Sequence, residues 1–291
     1  MTNWVLGVIG GSGLYEIPGL QNRRWETIDG PWGPASDQIL FGELEGVQLR
    51  FLPRHGRGHK VSPSHINGRA NIDALKRAGC TDILSLSAVG SLREELDPGA
   101  FVVVDQYIDR TFAREKSFFG EGVVAHVSMG HPVCERLSSL AFLAAGQAGA
   151  RVTRGGTYLC MEGPQFSTKA ESELYRAWNC AVIGMTNMPE AKLAREAELP
   201  YASVAMVTDF DCWHEDHAHV EVTDVVRVMH ENADRARATV AQLCALLKDR
   251  PRTPSPIDTV LDTALITPAG HRDPALAAKL DAVAGRVLGR G

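Results

Sequence analysis

Asp209 and Asp211 stand two residues apart in Thr208-Asp209-Phe210-Asp211-Cys212-Trp213, flanking an aromatic residue. In an extended strand both side chains would project to one side. A carboxylate accepts from an amino group, and a protonated carboxyl donates to a ring nitrogen. The pair therefore suits an aminopurine, whose N6 donates and whose N7 accepts. The same segment also reads as a plain helix entry, with Asp211 as the cap and Asp209 in solvent.

A second chemistry is written at other strand ends. Arg54-His55-Gly56-Arg57-Gly58-His59 interleaves two arginines and two histidines with glycine. Such a cluster could clamp an oxyanion bidentately, or form a solvated basic turn. Gly10-Gly11-Ser12-Gly13 follows a short apolar run, and successive N–H groups in a glycine turn make a nest for an anion. It has neither the G-x-G-x-x-G spacing of a dinucleotide site nor the G-x-S-x-G of a hydrolase elbow. Ser87-Ala88-Val89-Gly90-Ser91 and Gly184-Met185-Thr186-Asn187 repeat the pattern of an apolar strand running into small polar residues. Ligands of open α/β sheets sit at the carboxyl ends of strands, so these polar ends predict one shared site. Read singly, each is a connecting loop. His214, His217 and His219 with Glu215 and Asp216 lack H-E-x-x-H spacing and read as a hydrated loop, so no metal is expected.

The elements that position these residues alternate between short apolar runs and helical patterns, which predicts an α/β fold with a mostly parallel or mixed central sheet. Strands are expected over 4–9, 38–44, 47–53, 81–88, 101–105, 152–160, 181–185 and 201–208. Helices are expected over 64–78, 132–149, after Ser167, from Pro189 and over 223–247. A proline-rich connector, Asp249-Arg250-Pro251-Arg252-Thr253-Pro254-Ser255-Pro256, then leads to a final helix over 273–288. The chain is thus read as a catalytic domain over 1–248 and an appended helical tail over 249–291.

Composition narrows the function. A chain of 291 residues with 44% hydrophobic and 22% charged residues can bury a large core. A net charge of −5 gives no general field for nucleic acid or an anionic membrane. The six cysteines are dispersed, with no C-x-x-C pair, as in a cytoplasmic protein with reduced thiols. The N-terminus lacks a signal-peptide pattern, and no apolar run has membrane-spanning length.

Taken in order, the motifs resemble the 5′-methylthioadenosine phosphorylases of the trimeric purine nucleoside phosphorylase family. The resemblance rests on Val8-Ile9-Gly10-Gly11-Ser12-Gly13-Leu14, Arg54-His55-Gly56, Gly90-Ser91-Leu92-Arg93-Glu94-Glu95, Glu162-Gly163-Pro164 with Phe166-Ser167, and the stretch from Thr208 to Trp213. It runs over roughly residues 5–245. It implies a mixed, partly barrel-like sheet flanked by helices, and a homotrimer, or a dimer of such trimers, with sites at subunit boundaries. By resemblance, phosphate is held by Ser12, Arg54, His55, Ser87, Ala88 and Thr186. Met185 lies under the ribose, and Phe166 and Ser167 lie at the base. Asp209 and Asp211 address N7 and N6. His126 reaches the 5′ region of a neighbour's site, and Val222, Val225 and Val226 lie by the methylthio group. Ser12 and Ser87 stand where the family often has threonine, and each keeps the hydroxyl. Val89 replaces a common cysteine, and the loop between Ser117 and His126 is short.

The implied reaction is phosphorolysis of methylthioadenosine to adenine and 5-methylthioribose 1-phosphate, with inorganic phosphate as co-substrate and no cofactor. The alternatives are a purine nucleoside or 5′-methylthioinosine phosphorylase, a hydrolytic nucleosidase, and a binding module that turns nothing over. Paired aspartates argue against a 6-oxopurine, and the Arg54/His55 cluster argues for phosphate over water. For the tail two placements are open. Leu276, Leu280, Val283 and Val287 form a stripe at helical spacing that can cover the chain's own core. Alternatively, as the resemblance implies, Leu261, Leu265 or Ile266 shields the methylthio group in a neighbour.

Overall fold

The computed structural model describes residues 3–11, 13–214 and 222–289, excepting the side chains of 222, 224 and 225. Eleven strands form one mixed sheet, with helices packed against it. Its centre is β5 (Asp82–Ser91), which is buried along most of its length. On one edge β5 pairs in parallel with β11 (Tyr201–Asp209) from Ile83 to Gly90. On the other edge it pairs with β1 (Val5–Gly10) only over Asp82 to Ser85. The same edge then takes β10 (Val182–Gly184), antiparallel, at Gly90 and Ser91. Leu86 to Val89 fall between these two partners. The sheet splits at that gap, and the site is built there.

The sequence explains the centre. Residues 201–208 are all buried, the continuous run expected of a parallel strand covered on both faces. β3 (Ile39–Leu44) and β4 (Val47–Pro53) form the expected hairpin, and β4 pairs in parallel with β1. α1 (Gly68–Arg77) is shorter than expected, because Asn67 caps it through Ala70 N and a 3₁₀ turn precedes it. Beyond it lie α2 (Glu135–Gln147), α3 (Lys169–Ala177), α4 (Asn187–Glu196) and α5 (Val222–Lys248).

Other elements also differ from expectation. The single strand expected over 152–160 is two, β8 (Arg151–Arg154) and β9 (Thr157–Cys160). Gly155 and Gly156 separate them at φ of 82° and 138°. This left-handed hinge lets β8 pair with β6 (Ala100–Val103) while β9 pairs with β10 and with β7 (Gln106–Asp109). β2 (Gln21–Glu26) is an unforeseen edge strand, because its exposed sequence QNRRWE carries no apolar alternation. The final helix breaks at Leu280 into α6 (Pro274–Lys279) and α7 (Asp281–Leu288).

The tail shares the core of residues 1–248. Leu261, Ala264, Leu280, Val283 and Ala284 are buried in the same apolar cluster as Ile9 and Ile83. Arg252 bridges Asp82 (2.5 Å) and Asp258, and Arg286 pairs with Glu198 and Asp262. The stripe therefore covers its own chain. Leu261 is fully buried there, so it is not available to a neighbour, whereas Ile266 is exposed.

Candidate active site

The gap in β5 opens into a cavity of about 100 Å³. Gly11, Arg54, His55, Ser87, Ala88 and Thr186 line it together. Strand geometry explains the convergence. β1 and β4 end side by side, which delivers Gly11 and Arg54. β10 runs antiparallel to β5, so the chain leaving it returns along β5 and sets Thr186 Oγ1 3.1 Å from Ser87 Oγ. Ser12 lies outside the described residues, but its neighbour Gly11 lines the cavity.

The cations are arranged differently from the bidentate clamp suggested by the sequence. Arg54 is buried, and its fork is spent on Glu190, with Nε–Oε2 at 2.9 Å and Nη2–Oε1 at 3.1 Å. Its Nη2 also donates to Ser85 Oγ, and Nη1 to Leu86 O. One Nη1 hydrogen is left by these contacts for a ligand. Arg57 belongs to another network: it pairs with Asp37 (2.8 Å) and lies over Trp25. Burial pushes the His55 imidazole down to about 4, helped by Arg54 and against the bond to Val61, so the ring is neutral near pH 7. Nδ1 then donates to Val61 O (2.8 Å), which leaves Nε2 as an acceptor. The cavity is a set of neutral donors and acceptors around one compensated guanidinium.

The aspartate turn, at the end of β11, lies further along β5, beside Gly90. Ser87 and Gly90 are three residues apart on β5, about 10 Å at strand rise, enough to hold a sugar between them. Asp211 does not continue the strand; its φ is +52°, and its N–H donates to Asp209 Oδ1 (2.8 Å). Thr208 Oγ1 donates to Asp209 Oδ2 (2.7 Å). The extended arrangement is thus replaced by a turn that carries both carboxyls. Burial is the chief cause that raises both groups above the usual carboxylate range, and the Asp211 charge adds to the effect on Asp209. Asp211 is buried, and its Oδ2 has no hydrogen-bond partner among the described residues. Gly90 makes room for the turn: a Cβ there would lie 2.9 Å from Asp209 Oδ1 and 3.4 Å from Asp211 Cβ. Phe210 and Trp213 anchor it in a small apolar cluster with Leu92, Tyr175 and Ile183.

Ser167 joins the turn, since Cys212 Sγ lies 3.2 Å from its carbonyl oxygen. Phe166 beside it is 47% exposed, so an aromatic face is open to a ligand or a neighbour. Met185 packs under Gly163, and its carbonyl accepts from Arg114 Nη1 (2.6 Å). Arg114 is a residue that sequence reasoning missed. It also bonds Met188 O (2.8 Å) and pairs with Glu162 (3.0 Å), which bolts the 161–166 loop to the 185–188 turn. No local signal marks Arg114, because its partners are about fifty and seventy residues away.

Glu162 gives this brace a pH signature. Burial raises its pKa, but bonds from Ser64, the Phe112 and Ala113 N–H groups and Arg114 outweigh that and bring it down to about 2. A depressed carboxyl contributes stability above its unfolded pKa near 4.5 and loses it as pH falls from there toward 2. Glu162→Gln should remove on the order of 1–3 kcal/mol at neutral pH and flatten that acid limb. Urea melts between pH 2 and 7 check this; an unchanged acid limb would refute it.

Of the residues expected at the 5′ end of the nucleoside, His126 and Val226 do not line the cavity. His126 lines a separate hollow of about 400 Å³ with Lys192 and Glu196, next to the tail, and its N–H donates to Ala264 O (2.9 Å). Val222 and Val225 belong to α5, but their side chains lie outside the described residues; Val226 is exposed. Among the described residues of α5, Met229 and Ala233 reach the cavity. Helical spacing from Val225 and Val226 marks Met229 as a candidate, although sequence reasoning stopped short of it. Of the histidine and acid cluster only His214 is described; it stacks on Phe210.

Comparison with known proteins bears on this geometry. The model of the phosphorylase superfamily matches residues 5–245. An S-methyl-5′-thioadenosine phosphorylase of Rhodospirillum rubrum is 64% identical over 286 residues, covering 98% of this chain and 97% of its own. That of Chloroflexus aurantiacus is 47% identical over 287 residues, covering 98% and 99%. The crystal structure of a methylthioadenosine phosphorylase from an Antarctic soil metagenomic library superposes with a TM-score of 0.91 at 45% identity, covering 97% of this chain and 99% of that one. A Schistosoma mansoni methylthioadenosine phosphorylase in complex with adenine gives 0.80 at 36% identity, covering 86% and 93%. With the family model spanning both the split in the sheet and the aspartate turn, this chain belongs to the phosphorylase superfamily.

Proposed function

We propose that this enzyme cleaves S-methyl-5′-thioadenosine with inorganic phosphate, giving adenine and 5-methylthioribose 1-phosphate. The observation that carries the reading is the strand β5, whose Ser87 meets Arg54 and Thr186 at the cavity and whose Gly90, three residues on, packs against the buried aspartate turn at the end of β11. Phosphate lies in the cavity, on Ser12, Ser87, Thr186, the Arg54 Nη1–H and the Gly11 backbone, with the neutral His55 Nε2 accepting a hydrogen bond from its P–OH. The ribose spans Met185, and the base lies between Phe166 and the aspartates.

As C1′–N9 breaks, negative charge grows on the purine and positive charge on the ribose. Asp209, whose burial shifts it toward the protonated form, gives a proton to N7, and a phosphate oxygen forms the new bond to C1′. No electrons change hands, so the reaction calls for no redox cofactor. Asp211, with a buried oxygen to spare, accepts from N6. The apolar lining from Met206 and Met229 favours a methylthio group over a hydroxyl.

A homotrimer, or a dimer of trimers, is proposed from the family resemblance, and two features leave groups free to meet a neighbour. Exposed Phe112 and Phe166 flank the Glu162 loop, and His126 and Ile266 lie by the tail, away from this chain's own cavity. The unpaired thiols, mostly buried, support a cytoplasmic location. Among the described residues no helix is long and apolar enough to cross a membrane.

Release of free base from methylthioadenosine, methylthioinosine, inosine and adenosine, with and without phosphate, tests the proposal. Methylthioadenosine should lead and require phosphate; a preference for inosine would overturn the base assignment. Asp211→Asn should raise the relative rate on 6-oxopurines about tenfold or more, because an amide donates to O6 where a carboxylate cannot. An unchanged preference would remove Asp211 from base recognition.

A further inference from the structure

Tyr158, on β9, is fully buried beneath the cavity and takes no part in the chemistry above. Its hydroxyl lies 3.2 Å from Ser87 Oγ, which in turn lies 3.1 Å from Thr186 Oγ1. The three hydroxyls form a chain that runs from the core to the cavity. Gly184 shows how closely the phenol is fitted: a Cβ at that position would collide with the Tyr158 hydroxyl and lie 2.7 Å from Cζ. Position 184 is glycine so that the phenol can cross β10 and arrive under Ser87.

The direction of the chain follows from the phenol. Burial pushes Tyr158 up to about 12, so it keeps its proton near neutral pH. A buried O–H left without an acceptor is costly, and Ser87 Oγ is within reach. Tyr158 therefore donates and Ser87 accepts. A serine that accepts from below is free to aim its own single hydrogen elsewhere, and accepting a bond makes it a stronger donor. The other acceptor near Ser87, the Ala88 carbonyl, is a poor competitor at 3.4 Å.

We infer that Tyr158 is a positioning residue that polarises the Ser87–Thr186 pair toward the cavity, so that their hydrogens meet an anion there. The inference rests on the reading that this cavity holds phosphate. It extends the site to a core residue that touches no substrate and acts through the Ser87 and Thr186 hydroxyls.

Tyr158→Phe removes one oxygen and keeps the ring, so the packing against Tyr107 is retained. The KM for phosphate should rise about 3- to 10-fold, the effect of one buried hydrogen bond. The KM for the nucleoside, and kcat at saturating phosphate, should stay within about twofold. In a Ser87→Ala/Thr186→Val background Tyr158→Phe should add nothing, because both of its routes are gone. Equal rises in both KM values, or additive effects in the combined variant, would mark a merely structural role and overturn the inference. So would an unchanged phosphate KM. The wild-type enzyme separates this failure from that of the wider reading: turnover without phosphate would sink the reading itself, whatever Tyr158 does.

Discussion

Asparagine at position 209 is expected to lower turnover of methylthioadenosine by about 10²- to 10⁴-fold, the range that a positioned general acid contributes. The substitution preserves size and leaves Oδ1 to accept from Asp211 N–H, so the turn survives. It removes the acidic proton. The loss should fall on kcat, with the KM for nucleoside and phosphate little changed, because proton transfer belongs to the transition state. pH provides a second readout. The acid must be protonated, so wild-type kcat should decline as pH rises through the Asp209 pKa, which burial raises above the ordinary range. The asparagine variant should lack that limb. Asp209→Asn with wild-type kcat would move the proton donor elsewhere, Asp211 first.

The second large effect is expected at Arg54, where binding and stability are joined. Arg54→Met should abolish measurable saturation by phosphate and also destabilise the fold by about 3–5 kcal/mol, the cost of leaving a buried charge unpaired. The abandoned charge is Glu190, 2.9 Å away, which then keeps only the Tyr201 hydroxyl (2.7 Å) among the partners seen here. The two effects can be separated. Arg54→Met with Glu190→Met removes both charges and should regain most of the stability, while phosphate binding stays lost. Denaturant melts and phosphate titrations of the single and double variants decide. A double variant that also regained phosphate binding would exclude the Arg54 guanidinium from the phosphate site.

These two residues show how far the chain could be read before folding. The strand ends were legible because glycine and hydroxyl residues break continuous apolar runs at 10–13, 87–91 and 184–187, and together with Arg54 and His55 these breaks suggest one shared site, although each read singly is a connecting loop. That the breaks converge was a matter of topology, since β10 runs antiparallel to β5 and no local pattern gives strand direction. The charge state of the cavity was hidden for a related reason. Arg54 and His55 read as two cations, yet Glu190 lies far along the chain and neutralises the first, and burial neutralises the second. Asp209 and Asp211 were found by spacing, but their geometry was not. Period-two reasoning assumes extended backbone, and the left-handed Asp211 breaks it. Tyr158 and Arg114 carried no signal of their own: one reads as a strand aromatic, the other as a solvated loop cation. The tail was legible as an amphipathic stripe, but the surface it would cover was not, because a stripe names no partner.

The most direct test follows the fate of phosphate. The enzyme, methylthioadenosine and ¹⁸O-labelled phosphate should yield adenine and 5-methylthioribose 1-phosphate in equal amounts, with label in the C1′–O–P bridge, and neither product should form without phosphate. Free 5-methylthioribose released at the full rate in phosphate-free buffer would contradict the account and leave a hydrolase in its place.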